Sequence, residues 1–175
     1  MSYTTVYALW PGERHEELED LRNAWGTAPV VWGKMSARYC GIEEMAALAN
    51  IEKLWPLWKR LDIKKSHRAV LLMTYDDHYV GRENYTRAAA DIRAFLADFS
   101  FHPNRVNHWL RIAEIFETNP DCPAIGFQWT SVGDNPWSGE WNEEKEEYEQ
   151  PDWACKCEMY AELDALDTAQ EGGTA

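Results

Sequence analysis

The chain has 175 residues and a formal net charge of −13 at pH 7, with 45% hydrophobic residues and ten tryptophans. This length suits one domain, and the aromatic side chains supply enough apolar surface for a core without disulfides or metal. A wholly disordered chain is excluded, and no apolar run approaches the roughly 20 residues that span a bilayer. Because the N-terminus lacks the charged and apolar regions of a signal peptide, we expect a cytoplasmic protein.

The negative charge is concentrated near the C-terminus. Residues 1–137 contain 18 acidic and 15 basic side chains, whereas residues 138–175 contain 12 acidic and two basic ones. An acidic surface of this kind repels nucleic acid and anionic membranes and attracts basic partners. We therefore expect no membrane binding and no direct nucleic-acid binding, but a protein partner with a basic surface.

Hydrophobic spacing and turn signals predict the elements of the first half of the chain. These are a strand at 3–10 that ends at Pro11-Gly12, a helix at 13–25, a helix from Thr27 to Tyr39, a helical segment at 43–61 that Pro56 divides, and a strand at 69–75. The last of these is a short continuous apolar run, which is typical of a central strand covered on both faces.

The second half contains the clearest helical pattern of the chain. The predicted elements are a helix at 83–99, a helix at 103–118, a strand at 125–130, a strand at 155–163 and a flexible C-terminal tail at 167–175. Together they predict a single α+β domain over residues 1–166. We expect a small mixed or antiparallel sheet of about four strands, with helices packed mainly on one face.

Catalytic signatures are scarce. The chain has no Gly-x-Ser-x-Gly motif, no phosphate-binding glycine-rich loop and no dinucleotide fingerprint. Asp76, Asp77 and His78 follow the predicted central strand, where two carboxylates and an imidazole can hold a divalent cation. With Glu83 they form the alternative hypothesis of a metal-assisted hydrolase, although Asp and His are also ordinary turn residues.

The cysteines do not favour a metal site. Cys155 and Cys157 are one residue apart, a spacing that differs from the common zinc families, and we interpret them as thiols on the apolar face of the last strand. We therefore predict no cofactor and no bound metal. A basic cluster at 59–68 is explained equally well by phosphate contact or by a solvated helix end; it comprises Lys59, Arg60, Lys64, Lys65, His67 and Arg68.

The connection at about 133–153 is the least ordinary part of the sequence, and we call it the acidic segment. It is far longer than a usual hairpin loop, and it combines carboxylates with aromatic rings that a disordered acidic linker lacks. The rings can anchor it to the body of the protein or to a partner, and the carboxylates can occupy a groove lined by Arg and Lys. The predicted partner-binding residues are Trp137, Glu140, Trp141, Glu143, Glu144, Glu146, Glu147, Tyr148, Glu149 and Asp152.

These features lead to the hypothesis of a non-enzymatic binding or inhibitor protein that engages a basic, nucleic-acid-binding partner. Small acidic inhibitors occur among phage counter-defence proteins, such as anti-CRISPR and DNA-mimic proteins, and the likeness concerns charge and size alone. The metal-assisted hydrolase is the first alternative. A structural or adaptor subunit that buries its exposed tryptophans in an assembly is the second.

Overall fold

The computed structural model describes residues 2–171, and it begins with the predicted strand, β1 (Tyr3–Trp10). The chain reverses at Pro11-Gly12, where Gly12 has a φ of +83° that favours glycine. A second strand, β2 (Arg14–Arg22), then pairs with β1 along its whole length. The helix predicted over 13–25 is therefore wrong.

A β-bulge explains why this strand has the spacing of a helix. The pairing register shifts between Val6 and Tyr7, so that β2 contains one additional residue at this point. Leu18 and Leu21, three residues apart, consequently both contact the main core. The remaining β2 side chains are mostly charged, which suits an edge strand that must not pair with other chains.

The other elements, in chain order, are α1 (Ala28–Met35), α2 (Lys65–Leu72), β3 (His78–Gly81), α3 (Tyr85–Asp98), α4 (Trp109–Thr118), β4 (Ala124–Gln128), β5 (Trp141–Asn142), β6 (Glu147–Tyr148), β7 (Cys157–Glu158) and α5 (Met159–Glu171). Helix α1 continues as a π-helical turn to Cys40. The divided helical segment predicted at 43–61 forms short 3₁₀ helices, which cover 44–46, 48–53 and 55–59.

Two predicted strands are helices. The run at 69–75 belongs largely to α2, whose residues from Ser66 to Leu72 are all buried, and hydrophobic periodicity does not distinguish a buried helix from a buried strand. The strand predicted at 155–163 is limited to β7. From Met159 onward the chain is helical because Met159, Tyr160 and Leu163 are fully buried, a spacing that competes with the alternating pattern. Helix α5 extends to residue 171, into the predicted tail.

The predicted α+β fold is confirmed. Five strands form a mixed sheet in the order β2-β1-β4-β3-β7, in which only the β3–β7 pair is parallel, and β5 and β6 form a separate two-stranded sheet. The helices pack on one face of the large sheet and enclose the main core. Within the described residues, no helix combines the length and apolar composition needed to cross a membrane.

Candidate functional site

The second face of the sheet is covered by the acidic segment, which is anchored by Trp137. This side chain is fully buried and forms a small second core with Tyr7, Leu9 and Ala124. Its indole Nε1 donates a hydrogen bond to the carbonyl oxygen of Phe127 at 3.2 Å. Trp137 therefore binds the segment to the body of the protein, which was one of the two roles that the sequence left open for its rings.

Close backbone approach fixes the segment further. Gly126 of β4 lies beneath the Trp137 ring, and a Cβ atom there would be 2.6 Å from Cε2 of Trp137. Gly139 donates its backbone N–H to the carbonyl of Glu149 at 2.8 Å, and Glu149 donates its own N–H to the carbonyl of Glu140 at 2.9 Å. These bonds bring the two arms of the segment together.

The arms continue into a short hairpin in which Trp141 pairs with Tyr148 and Asn142 pairs with Glu147. Asn142 organises the turn, since its Oδ1 accepts the backbone N–H groups of Glu144 and Lys145 at 3.1 Å each. Glu146 has a φ of +52°, in the left-handed region that residues with a side chain seldom adopt. We call residues 140–149 the acidic hairpin.

The acidic hairpin presents charge without compensation. Its exposed side chains include four glutamates that form no ion pair among the described residues: Glu143, Glu144, Glu146 and Glu147. Lys145 is its single basic residue and lies 4.0 Å from Glu149. The rings of Trp141 and Tyr148 are 51% and 64% exposed and pack edge to face at 5.0 Å. The hairpin thus combines free carboxylates with an exposed aromatic pair.

Two predicted partner-binding carboxylates have structural bonds. Glu149 accepts the side-chain N–H of Asn142 at 2.7 Å. Asp152 accepts a hydrogen bond from the Cys155 thiol and another from the backbone N–H of Ala154 at 3.0 Å, and these bonds lower the pKa of its carboxyl group. Glu140 is exposed at the base of the hairpin. A cleft of about 870 Å³ with both polar and apolar lining lies between the hairpin and β1, bordered by Tyr7, Asn135 and Lys156.

The residues of the metal-hydrolase hypothesis do not converge. Asp77 forms an ion pair with Lys156 at 2.6 Å, and Asp76 and Glu83 are exposed. In the part of the chain that the structure describes, one group has three potential metal ligands within 4.8 Å of one another, and it consists of His78, Cys157 and Glu162. It shares only His78 with the predicted set.

This group is assembled by the parallel pairing of β3 with β7, which places His78 directly beside Cys157. Glu162 comes from the first turn of α5, and its Oε2 lies 2.6 Å from Nε2 of His78. The His78 side chain is only 10% exposed, and its Nδ1 is buried without a hydrogen-bond partner among the described residues. No local sequence pattern indicates this group, because its members are separated by up to 84 residues.

A second arrangement that the sequence did not reveal is an aromatic pocket beside Asp76. A cavity of about 400 Å³ is lined by Trp32, Trp55, Tyr75 and Trp129, together with Asp76 and Asp77. These rings come from four separate parts of the chain, and their number in the composition was the one sequence signal available. The pocket lies beyond the end of α2, where the chain turns toward β3.

Comparison with protein-family models, with curated proteins and with solved structures finds no match for this chain. The proposals below therefore rest on the geometry and chemistry of its own residues.

Proposed function

We propose that this protein is a non-enzymatic binding protein whose acidic hairpin engages a basic surface of a protein partner. The observation that supports it is the set of exposed glutamates at 143, 144, 146 and 147, which have no cation partner among the described residues. Arg and Lys side chains satisfy such carboxylates through charge-assisted hydrogen bonds. A partner that uses the same basic groove for nucleic acid is inhibited by this occupation, as in DNA-mimic and anti-CRISPR proteins.

The anchoring of the hairpin supports this proposal. A flexible acidic loop loses conformational entropy when it binds, whereas Trp137 and the backbone bonds of Gly139 hold this hairpin in place beforehand. The exposed Trp141 and Tyr148 rings add the kind of side chain that contributes most to protein interfaces. Electrostatic attraction sets the rate of encounter, and the aromatic pair then provides apolar contact.

The test compares two variants that each lose four negative charges. The hairpin variant carries Glu→Gln at 143, 144, 146 and 147. The control carries Glu13→Gln, Glu43→Gln, Glu52→Gln and Asp121→Asn, which are exposed positions on the body and form no ion pair among the described residues. Wild type and both variants are used for affinity capture from cell lysate with stepwise salt elution. Captured proteins are then assayed for nucleic-acid binding with and without the wild-type protein.

We expect wild type and the control to retain the same basic protein, to release it at raised salt, and to block its nucleic-acid binding. The hairpin variant should lose this capture, because the contact depends on position and not on net charge alone. Equal capture by the hairpin variant would contradict the proposal. Self-association that salt does not disrupt would instead support the structural or adaptor hypothesis.

A second candidate function is metal binding at His78, Cys157 and Glu162. Nitrogen, sulfur and carboxylate oxygen are the zinc ligands found in proteins, and three protein ligands leave one position open for water. Burial, together with the charges of Glu162 and Asp77, raises the pKa of the Cys157 thiol, and a cation here offsets this effect. Such a site would carry the metal-assisted chemistry of the alternative hypothesis without Asp76, Asp77 or Glu83.

The metal candidate is tested by adding Zn²⁺ or Co²⁺ to wild type and to Cys157→Ser, with Cys155→Ser as the matched control, since that thiol is exposed. Zn²⁺ should raise the Tm of wild type and Cys155→Ser but not of Cys157→Ser. Co²⁺ should produce a thiolate charge-transfer band in the same two proteins. A Tm rise that survives Cys157→Ser would exclude this ligand set.

A further inference from the structure

The aromatic pocket beside Asp76 has walls that are held rigidly. The Trp32 and Trp55 rings pack edge to face at 5.8 Å, and Trp55 packs against Tyr75 at 4.7 Å. Trp129 is stacked on Phe127 at 4.5 Å, on the side of the main core. At about 400 Å³ the cavity has the size of a small-molecule site. The walls are therefore formed before any ligand arrives.

Two polar atoms of these walls are used within the protein, and Nε1 of Trp129 is buried without a hydrogen-bond partner among the described residues. Nε1 of Trp32 donates to Oγ1 of Thr74 at 3.0 Å, and the Tyr75 hydroxyl donates to the backbone carbonyl of Trp55 at 2.5 Å. A ligand therefore meets ring faces and edges and few free hydrogen-bonding groups. Ring faces carry partial negative charge, which attracts cations.

The formal charge at the pocket is negative as well. Asp77 is paired with Lys156, whereas Asp76 forms no hydrogen bond or ion pair among the described residues. Although Asp76 reaches solvent, the surrounding protein removes part of the hydration of its carboxyl group. This desolvation raises the pKa of Asp76, Asp77 raises it further, and Lys156 opposes both. Folding thus places at the pocket a carboxylate that has no ion pair of its own among the described residues.

We propose that this pocket, formed by Trp32, Trp55, Tyr75 and Trp129 with Asp76 at its edge, binds an alkylated ammonium group. Several aromatic faces around one cavity are the usual recognition element for quaternary ammonium, because the cation–π attraction requires no hydrogen bonds from the ligand. The methyl groups contact the rings while the carboxylate of Asp76 compensates the charge. This site lies apart from the acidic hairpin, and the proposal does not depend on the proposed function.

The chemistry favours an organic cation over the other occupants of such a cavity. A neutral apolar ligand makes no use of Asp76. A divalent metal ion requires several oxygen, nitrogen or sulfur ligands within reach, and Asp76 belongs to no such group in the described part of the chain. A primary ammonium group requires hydrogen-bond acceptors for its N–H groups, and the walls offer few free ones. A methylated ammonium group matches both the rings and the charge.

The experiment measures binding of choline and of its neutral isostere 3,3-dimethylbutan-1-ol by calorimetry and tryptophan fluorescence. A short peptide that carries trimethyllysine, with the unmethylated peptide as its control, distinguishes a free amine from one attached to a protein. We expect choline or the trimethylated peptide to bind at least about tenfold more tightly than its control. Equal binding within both pairs, or no binding of either cation, would overturn the proposal.

Variants locate the site. Asp76→Asn should weaken binding of the cation by about five- to tenfold, and Trp55→Leu should weaken it further, whereas the exposed Asp121→Asn should leave it unchanged. Because Trp55→Leu can disturb packing, Asp76→Asn is the decisive variant. It should also raise Tm slightly at pH 7, on the order of 1 °C, since the charged form of Asp76 is desolvated in the fold. Unchanged affinity in Asp76→Asn would remove the carboxylate from the site.

Discussion

The acidic C-terminal quarter divides into two regions that use carboxylates in opposite ways. In helix α5, Asp164 binds Arg87 and Lys65, and Asp167 binds Arg68 and Lys65. In the acidic hairpin, the glutamates at 143, 144, 146 and 147 have no such partners among the described residues. Both regions add acidic residues to the sequence, but Asp164 and Asp167 of α5 are used in ion pairs, whereas these four glutamates of the hairpin form none among the described residues.

The paired carboxylates of α5 lie against part of the basic cluster at 59–68. Three of its members, Lys64, Lys65 and Arg68, form ion pairs with carboxylates of α3 and α5. Lys65 and Arg68 therefore attach α5 to the body of the protein. The aspartates of α5 are thus used for structure, whereas the four hairpin glutamates form no ion pair among the described residues.

The largest expected effect on stability comes from releasing the hairpin from the sheet. Trp137→Ala removes the centre of the second core and should lower the free energy of unfolding by about 3–5 kcal/mol, as for other fully buried tryptophans. Urea denaturation measures this loss. Trp141→Ala, on the exposed hairpin, is the matched control and should change stability by less than about 0.5 kcal/mol. Similar losses in both variants would contradict the anchoring role of Trp137.

Much of the fold was predictable because local patterns agreed with tertiary contacts. Strand β1 was predicted from its composition and the turn at Pro11-Gly12, and helix α3 and strand β4 from simple periodicities; the structure confirms all three. The failures have physical causes: a β-bulge brought Leu18 and Leu21 to one face, and complete burial removed the periodicity of α2. In 155–163, apolar and polar residues alternate as in a strand. Met159, Tyr160 and Leu163 have the spacing of one helical face instead, and burying them together favours the helix.

The candidate sites were less predictable than the fold. The acidic hairpin is continuous in sequence, so its composition was visible at once. Which tryptophan is buried, Trp137, and which is exposed, Trp141, depends on the sheet beneath the segment and could not be read from composition. The aromatic pocket and the group around His78 draw on distant segments, and their residues meet only through the topology of the fold. No spacing within a local stretch of sequence indicates that these residues come together in the fold.

A moderate effect is expected from the carboxylates of α5. Asp164→Asn together with Asp167→Asn should lower the free energy of unfolding by about 1 kcal/mol, because partly exposed ion pairs contribute little individually. Thermal unfolding at low and high salt measures this loss, which should shrink as salt screens the pairs. A loss that is independent of salt would indicate disturbed packing instead of lost charge pairing.

The same variant has a predictable dependence on pH. Hydrogen bonding to Arg87 lowers the pKa of Asp164; for Asp167, burial raises the pKa, but bonds to Lys65 and Arg68 lower it overall. A carboxyl group whose pKa is lowered on folding stabilises the protein above its unfolded pKa of about 3.9, and this stabilisation is lost as pH falls through the folded value. The difference in Tm between wild type and variant should therefore be full at pH 7 and shrink progressively below about pH 4.

The smallest effect on stability is expected from the four glutamates of the hairpin. Glu→Gln at 143, 144, 146 and 147 breaks no ion pair among the described residues and relieves repulsion among neighbouring carboxylates, so Tm should stay the same or rise slightly. Thermal unfolding in parallel with the α5 variant measures this contrast, and low salt should enlarge it. If the hairpin variant lost as much stability as the α5 variant, its carboxylates would be structural and not free for a partner. Loss of partner capture at unchanged Tm, by contrast, separates binding from folding and assigns the two halves of the acidic region to different roles.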